Sequence, residues 1–458
     1  MLIKNGNIVL ESGIFQGDIL IENEKIKEIG TNIESEGKVL DASDKYIMPG
    51  LIDVHTHFNI DVGIAKSVDD FYTGTVAAAC GGTTTIVDHM GFGPKGCKLG
   101  HQLDVYQGYA KDMAVIDYGF HGVIQHVDDE VIASMETLIE KGLTSYKVYM
   151  TYDYKLNDQD ILKVMEKAKK LGIMITVHPE IDGVIKYFKN KFHEENKLEP
   201  MYHEKSRPED CEGEAIDIMN SFSHMLGDVP LYIVHLSNKE GLNSVKKWRE
   251  KGLKNLYLET CPQYLLLSDE CYKRDDALKF ILSPPLRGAD NNKILWNALV
   301  DDTIDTVATD HCSFNYNGDK QKGKDDFTKC PNGMPGVETR GYILIGQGVD
   351  KGMEIGQIVK KCSENPAKLF GMYPKKGTLK VGSDADILVV DMNGENIIKH
   401  KNLHENVDYT PFESEKVKCK FDYVISRGEI IVENNVFIGE KGRGQFLNRD
   451  RPILYKNS

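Results

Sequence analysis

Apolar and polar positions alternate with a period of two over residues 2–9, 17–21 and 25–29, and Asn-Gly, Gly and Asn-Glu punctuation separates the runs. This pattern predicts short strands of an antiparallel sheet. The same texture returns at 386–391 (DILVVD), 421–426 (FDYVIS) and 429–433 (EIIVE), so the two chain ends are expected to join in one β-sandwich. Between them, short β-rich apolar runs alternate with longer helical patterns. Strands are expected at 47–57, 83–89, 118–124, 145–150, 174–179, 231–236, 256–261 and 305–310, and helices at 69–80, 128–142 and 158–172 among others. The last of these, DQDILKVMEKAKKLG, places acids early, lysines late and a glycine at its end. Eight strands in βα order predict an α/β fold, a (β/α)8 TIM barrel. The expected division is residues 1–48 for the first part of the sandwich, 49–372 for the barrel, and 373–458 for the rest of the sandwich plus a C-terminal extension from 442. The polar stretches 187–211 and 315–328 are expected to be long loops over one barrel face, where such enzymes bind substrate.

Composition narrows the partners. Over 458 residues, 41% are apolar and 28% charged, values of a globular protein rather than a disordered or fibrous one. Lys and Arg number 56 against 70 Asp and Glu, a net charge of −14, which argues against nucleic-acid or anionic-membrane partners. No window carries the apolar run of a membrane span, and MLIKNGNIVLESG lacks the apolar core of a signal peptide. The nine cysteines are scattered with no C-x-x-C, the usage of reduced thiols, so a cytoplasmic protein is expected.

Chemistry concentrates at the predicted strand ends. The first strand ends in Asp53-Val54-His55-Thr56-His57, and a period of two points both histidines into the barrel mouth. The fifth ends in His178, the sixth in His235 and the eighth in Asp310, while the fourth carries Lys147. Barrel enzymes build their sites from the C-terminal ends of different strands. A lone H-x-H, or one strand-end histidine, is as readily a core residue; their joint occurrence in barrel order points to a site. Four imidazoles and a carboxylate suit borderline divalent metals such as zinc. An ordinary ammonium cannot join them, whereas a lysine carbamylated by CO2 is an anion with two oxygens able to bridge two metals. His89 and His121 are expected at most behind the ligands. His101, His126, His193, His203, His224, His400 and His404 are expected on surfaces or loops.

At these residues the sequence resembles the cyclic amidohydrolases, in the hydantoinase/dihydropyrimidinase branch. The landmarks are PGLIDVHTHF (49–58), CGGTTTIVDH (80–89), TSYKVYMTY (144–152), TVHPE (176–180), YIVHLS (232–237), ETCPQYLLL (259–267), ILSPPLR (281–287), VATDHC (307–312), CPNGMPGVETR (330–340) and GSDADILVVD (382–391). They span nearly the whole chain in order. HFNIDVGIAKS, DHMGFGPKGC and GFHGVIQH resemble the corresponding segments of bacterial D-phenylhydantoinases.

The resemblance implies two divalent cations per subunit, with His55 and His57 on the more buried one and His178 and His235 on the other. It implies Lys147 as the bridging N6-carboxylysine and Asp310 as a ligand that is also general base. Tyr152, Ser283 and Asn332 match positions that hold the substrate ring, Tyr152 also facing the developing oxyanion. The implied reaction is attack of a metal-bridging hydroxide on a cyclic amide, with 5-substituted hydantoins giving N-carbamoyl amino acids. A homotetramer is implied by analogy. Dihydroorotases carry an arginine two residues after the second histidine; Asn59 stands there, so a carboxylate-bearing ring fits poorly. The loop at 59–67 departs from typical dihydropyrimidinases. The rivals are dihydropyrimidines, allantoin or a purine-degradation intermediate as substrate, and a non-enzymatic scaffold like the collapsin response mediator proteins, which the intact ligand set disfavours.

Overall fold

A computed structural model describes residues 1–455. Eight parallel strands stand side by side in chain order: Leu51–Thr56 (β1), Thr83–His89 (β2), Asp117–Val123 (β3), Ser145–Tyr149 (β4), Met174–His178 (β5), Leu231–Ile233 (β6), Leu256–Thr260 (β7) and Thr306–Val307 (β8). They curl into a nearly closed barrel, the expected (β/α)8 architecture. Every residue of these strands is buried, the charged and imidazole side chains they carry included.

The seam between β1 and β8 is closed largely by side chains. Arg340 Nη1 donates to the carbonyls of Ile52 (2.9 Å) and Val307 (2.8 Å), and its Nη2 to Thr83 Oγ1 at 3.0 Å. Asp53 accepts from Thr309 N and Oγ1 at 3.2 and 2.7 Å, and His57 N reaches His311 O at 2.9 Å.

Strands from both chain ends form one nine-stranded mixed sheet over its own apolar core of Ile3, Ile8, Ile19, Ile47, Ile387 and Ile425 among others. The expected strand 47–57 is two strands in two sheets. Tyr46–Pro49 pairs with Leu2–Leu10 and Ile387–Asp391, and the chain then crosses at Gly50 into β1. A Cβ at Gly50 would collide with Thr84, so the crossing needs glycine.

One other expectation changes. The stretch 187–211 is mostly helical, in Asp182–Glu194, Met201–Lys205 and the start of Glu209–Met225. Ile185, Phe188 and Phe192 sit at helical spacing within its polar composition, and Ile185 and Phe192 are buried. The stretch 315–328 is a loop carrying the turns Asp319–Gly323 and Phe327–Lys329. The C-terminal segment lies on its own barrel. Tyr118 N donates to Gln445 O (3.0 Å), Leu447 N to Tyr118 O (2.7 Å), and the buried Arg449 reaches Ser145 Oγ at 3.1 Å. Residues 456–458 of that segment lie outside the described residues. Among the described residues no helix is long and apolar enough to cross a membrane, and all nine cysteines are free thiols.

Candidate metal centre

The mouth of the barrel gathers the strand-end residues into two adjoining groups. In the first, His55 Nε2 and His57 Nε2 each lie 3.0 Å from the same oxygen, Asp310 Oδ1. In the second, His178 Nδ1 lies 2.9 Å from His235 Nε2. The His55 and His235 rings stack at 5.5 Å between centroids, joining the groups. Lys147, 2% exposed, stands on β4 with its Nζ 5.6 Å from the Tyr149 ring centroid. Its charge is felt by all four histidines.

Backbone geometry aims these groups. The pleat of β1 turns His55 and His57 to the same side. His235 (φ 41°), Asp310 (φ 54°) and Tyr152 (φ 72°) all adopt left-handed backbone conformations. β6 ends at Ile233 and β8 at Val307, short of their expected ends at 236 and 310, and the left-handed His235 and Asp310 lie where the ladder could not have continued through them. Non-glycine residues held there cost on the order of 1–3 kcal/mol each and cluster at functional sites.

Two carboxylates orient the rings. Glu259 Oε1 lies 2.6 Å from His55 Nδ1 and accepts from His235 N at 2.9 Å; Tyr232 OH donates to Oε2 at 2.9 Å. Glu180 Oε2 lies 2.7 Å from His178 Nε2 and also pairs with the buried Arg207. These bonds place a proton on His55 Nδ1 and on His178 Nε2, so His55 Nε2 and His178 Nδ1 are the nitrogens that face the mouth, where a metal ion would take the place of a second proton. Sequence reasoning assigned neither glutamate a role. The H-x-E spacing from His178 was the one local signal for Glu180; Glu259 meets His55 only because the barrel brings β7 near β1.

Electrostatics follow. Burial works against charge on His55, but Glu259 and Asp310 outweigh it and lift its pKa to about 9. Burial also opposes the Asp310 carboxylate, yet His55 and His57 hold it well below the usual range. Burial brings Lys147 down to about 8, with Asp310 and Glu259 partly offsetting it. Burial raises the Tyr152 phenol to about 12 against the pull of Arg207.

The donor set fits divalent metal ions. Two imidazole nitrogens and a carboxylate oxygen crowd one point, and beside them the nitrogens of His178 and His235 meet at 2.9 Å, sharing at most one proton once Glu180 has fixed the tautomer of the first ring. His57 Nδ1 and His235 Nδ1 are buried without hydrogen-bond partners. A cation resolves such crowding of acceptors.

Of the ring-binding candidates, Tyr152 lies beside the centre, 5.2 Å from the His178 ring between centroids. Ser283 is buried, and Asn332 is half-buried on a neighbouring segment tied to it by the bond from Gly333 N to Ile281 O (3.0 Å). Asn59 Oδ1 accepts from Phe71 N at 3.0 Å, at the start of the helix Phe71–Cys80 that Asp70 caps. His89 is buried 4.4 Å from His55, ring to ring, and His121 is fully bonded to Ser145 Oγ and Val54 O. His203, expected at the surface, is buried with Nε2 2.6 Å from Leu282 O. His404 is half-buried against Glu338, its Nδ1 2.9 Å from Oε1.

A parallel eight-stranded barrel with histidines and an aspartate converging at its C-terminal mouth defines a barrel hydrolase of the metal-binding type. The chain belongs to the Amidohydrolase family, whose model matches residues 46–431. It is 48% identical over 452 residues to a D-phenylhydantoinase of Escherichia coli O1:K1 / APEC, covering 98% of each chain. Among solved structures it superposes at TM-score 0.96 on a dihydropyrimidinase from Brevibacillus agri NCHU1002 and on a D-hydantoinase from Bacillus sp. AR9. Each is 40% identical, over 98% of this chain and 99% of the other.

Proposed function

We propose that the chain hydrolyses the cyclic amide bond of 5-substituted hydantoins, with aromatic D-isomers preferred, to give N-carbamoyl amino acids. The observation that carries this reading is the convergence of His55, His57 and Asp310 beside the His178–His235 pair, with Lys147 buried among them.

His55, His57 and Asp310 would hold one divalent ion, and His178 and His235 a second. Lys147 as N6-carboxylysine would serve both. Imidazole and carboxylate ligands favour zinc. When bound, such ions supply an activated water, lowering its pKa from about 15.7 toward 7. The Asp310 carboxylate would accept a proton from the attacking water and return it to the ring nitrogen, so that the C–N bond breaks as the new C–O bond leaves a carboxylate. The Tyr152 hydroxyl, kept protonated at neutral pH by its raised pKa, donates to the carbonyl oxygen as charge develops there. Ser283 and Asn332 take the polar edge of the ring, leaving the exocyclic group to the loops above. Glu180 and Glu259 hold the ligand rings in the required tautomers. The same reading takes a homotetramer as the assembly and the cytoplasm as the compartment.

A dihydropyrimidine presents the same cyclic amide, and the Brevibacillus relative is a dihydropyrimidinase. Side-by-side hydrolysis of D- and L-5-phenylhydantoin and dihydrouracil tests the choice. The expected order places the D-hydantoin first; faster turnover of dihydrouracil would reassign the substrate while keeping the reaction.

A further inference from the structure

Lys320 is fully enclosed, at 0% exposure, yet among the described residues it has no carboxylate within ion-pair distance. Its Nζ donates to Ile281 O at 2.7 Å and Pro331 O at 2.9 Å, with the Phe314 ring centroid 6.0 Å away. Those carbonyls stand two residues before Ser283 and one before Asn332. The side chain thus spans the two segments that carry the ring-binding pair, from the turn Asp319–Gly323 that neither segment contains.

Stability alone does not account for an ammonium in this place. Enclosing a cation with only neutral partners is costly, and a methionine would fill similar volume without that cost. Nor would the carbonyls lose their every partner: Ile281 O also accepts from Gly333 N at 3.0 Å, and Pro331 O is approached by Cys330 Sγ at 3.7 Å. The ammonium adds a fixed distance. Its two bonds set how far the segment of Ser283 stands from that of Asn332, and so which ring edge both can reach.

We infer that Lys320 is a positioning residue for substrate recognition, holding Ser283 and Asn332 at the separation the ring requires. This rests on the proposed function, in which those two residues bind the ring. The two hydrogen bonds of Lys320 go to Ile281 O and Pro331 O and to none of the proposed metal ligands, so its loss is expected to act on ring binding and leave metal uptake intact.

The test is steady-state kinetics of the metal-loaded wild-type, Lys320→Met and Lys320→Gln proteins on D-5-phenylhydantoin and dihydrouracil, with metal content measured in each. Misplaced binding groups cost up to about 10²-fold in kcat/KM. Lys320→Met is expected to show a loss of that order in kcat/KM, carried mainly by KM, together with a changed ratio between the two substrates and wild-type metal content. Lys320→Gln, which retains an N–H donor, is expected to recover part of the loss. An unchanged KM and substrate ratio in Lys320→Met would overturn the inference while leaving the proposed function standing. So would equal losses in kcat and metal content, or failure of both variants to fold, since each would mark a purely structural lysine. A wild-type protein that opens neither ring would overturn the functional reading and this inference with it.

Discussion

His178 and His235 face each other nitrogen to nitrogen, Nδ1 to Nε2 at 2.9 Å, and Glu180 occupies the opposite nitrogen of the first ring at 2.7 Å. The carboxylate thereby decides which His178 nitrogen is free to bind metal. Glu180→Ala is expected to weaken metal binding by about 10–100-fold, the usual cost of losing a carboxylate behind a ligand histidine. Metal content after equilibration at controlled free zinc would show it. Unaltered affinity would remove Glu180 from this role.

Lys147 is enclosed beside five metal-type ligands, where an ammonium would repel the cations they attract. Lys147→Ala should lose bound metal and turnover, and short-chain carboxylic acids added to the assay should restore part of both by supplying the missing anion. Full activity without rescue would contradict the N6-carboxylysine assignment.

The seam of the barrel hangs on Arg340, which reaches two carbonyls across it and lies 3.7 Å from Asp53. Arg340→Met leaves Asp53 as a buried charge without its cation, a change that costs about 3–5 kcal/mol when a buried pair is broken. Urea unfolding of the two proteins would read this as a lower midpoint. Coincident curves would show that the Asp53–Thr309 bonds and the backbone bridge at Thr56 and His311 close the barrel without Arg340.

The residues gathered at the barrel mouth were legible in the sequence because strand periodicity and strand ends are local properties: His55, His57, His178, His235 and Asp310 all fall where a barrel places its chemistry. The layer behind was not. Glu259 bonds His55 across more than 200 residues, and Arg340 closes a seam whose two edges lie far apart in the chain. Polar composition concealed the helix Asp182–Glu194, since its exposed face carries the charges and only a few apolar residues mark the inner one. His203 looked like a loop residue because its partner, the Leu282 carbonyl, carries no side-chain signature.

Glu405 supplies a pH test of stability. Burial raises its pKa from 4.5 to about 8 despite the opposing pull of His311, with Glu338 and Asp69 adding repulsion. Between those two pH values the folded state binds more protons than the unfolded one, so this residue's contribution to stability falls as pH rises from 4.5 to 8. Glu405→Gln should abolish that component, leaving the variant less sensitive to pH than the parent across this window. Denaturant midpoints at several pH values would reveal it, and parallel profiles for the two proteins would contradict it.

The most direct test of the whole account is ring opening of D-5-phenylhydantoin by the purified protein, followed as formation of N-carbamoyl-D-phenylglycine before chelation, after chelation and after restoring zinc. The account predicts turnover that chelation abolishes and zinc restores, in step with metal bound at the barrel mouth. Turnover that survives complete removal of metal, or a fully metal-loaded protein that opens no cyclic amide, would contradict it.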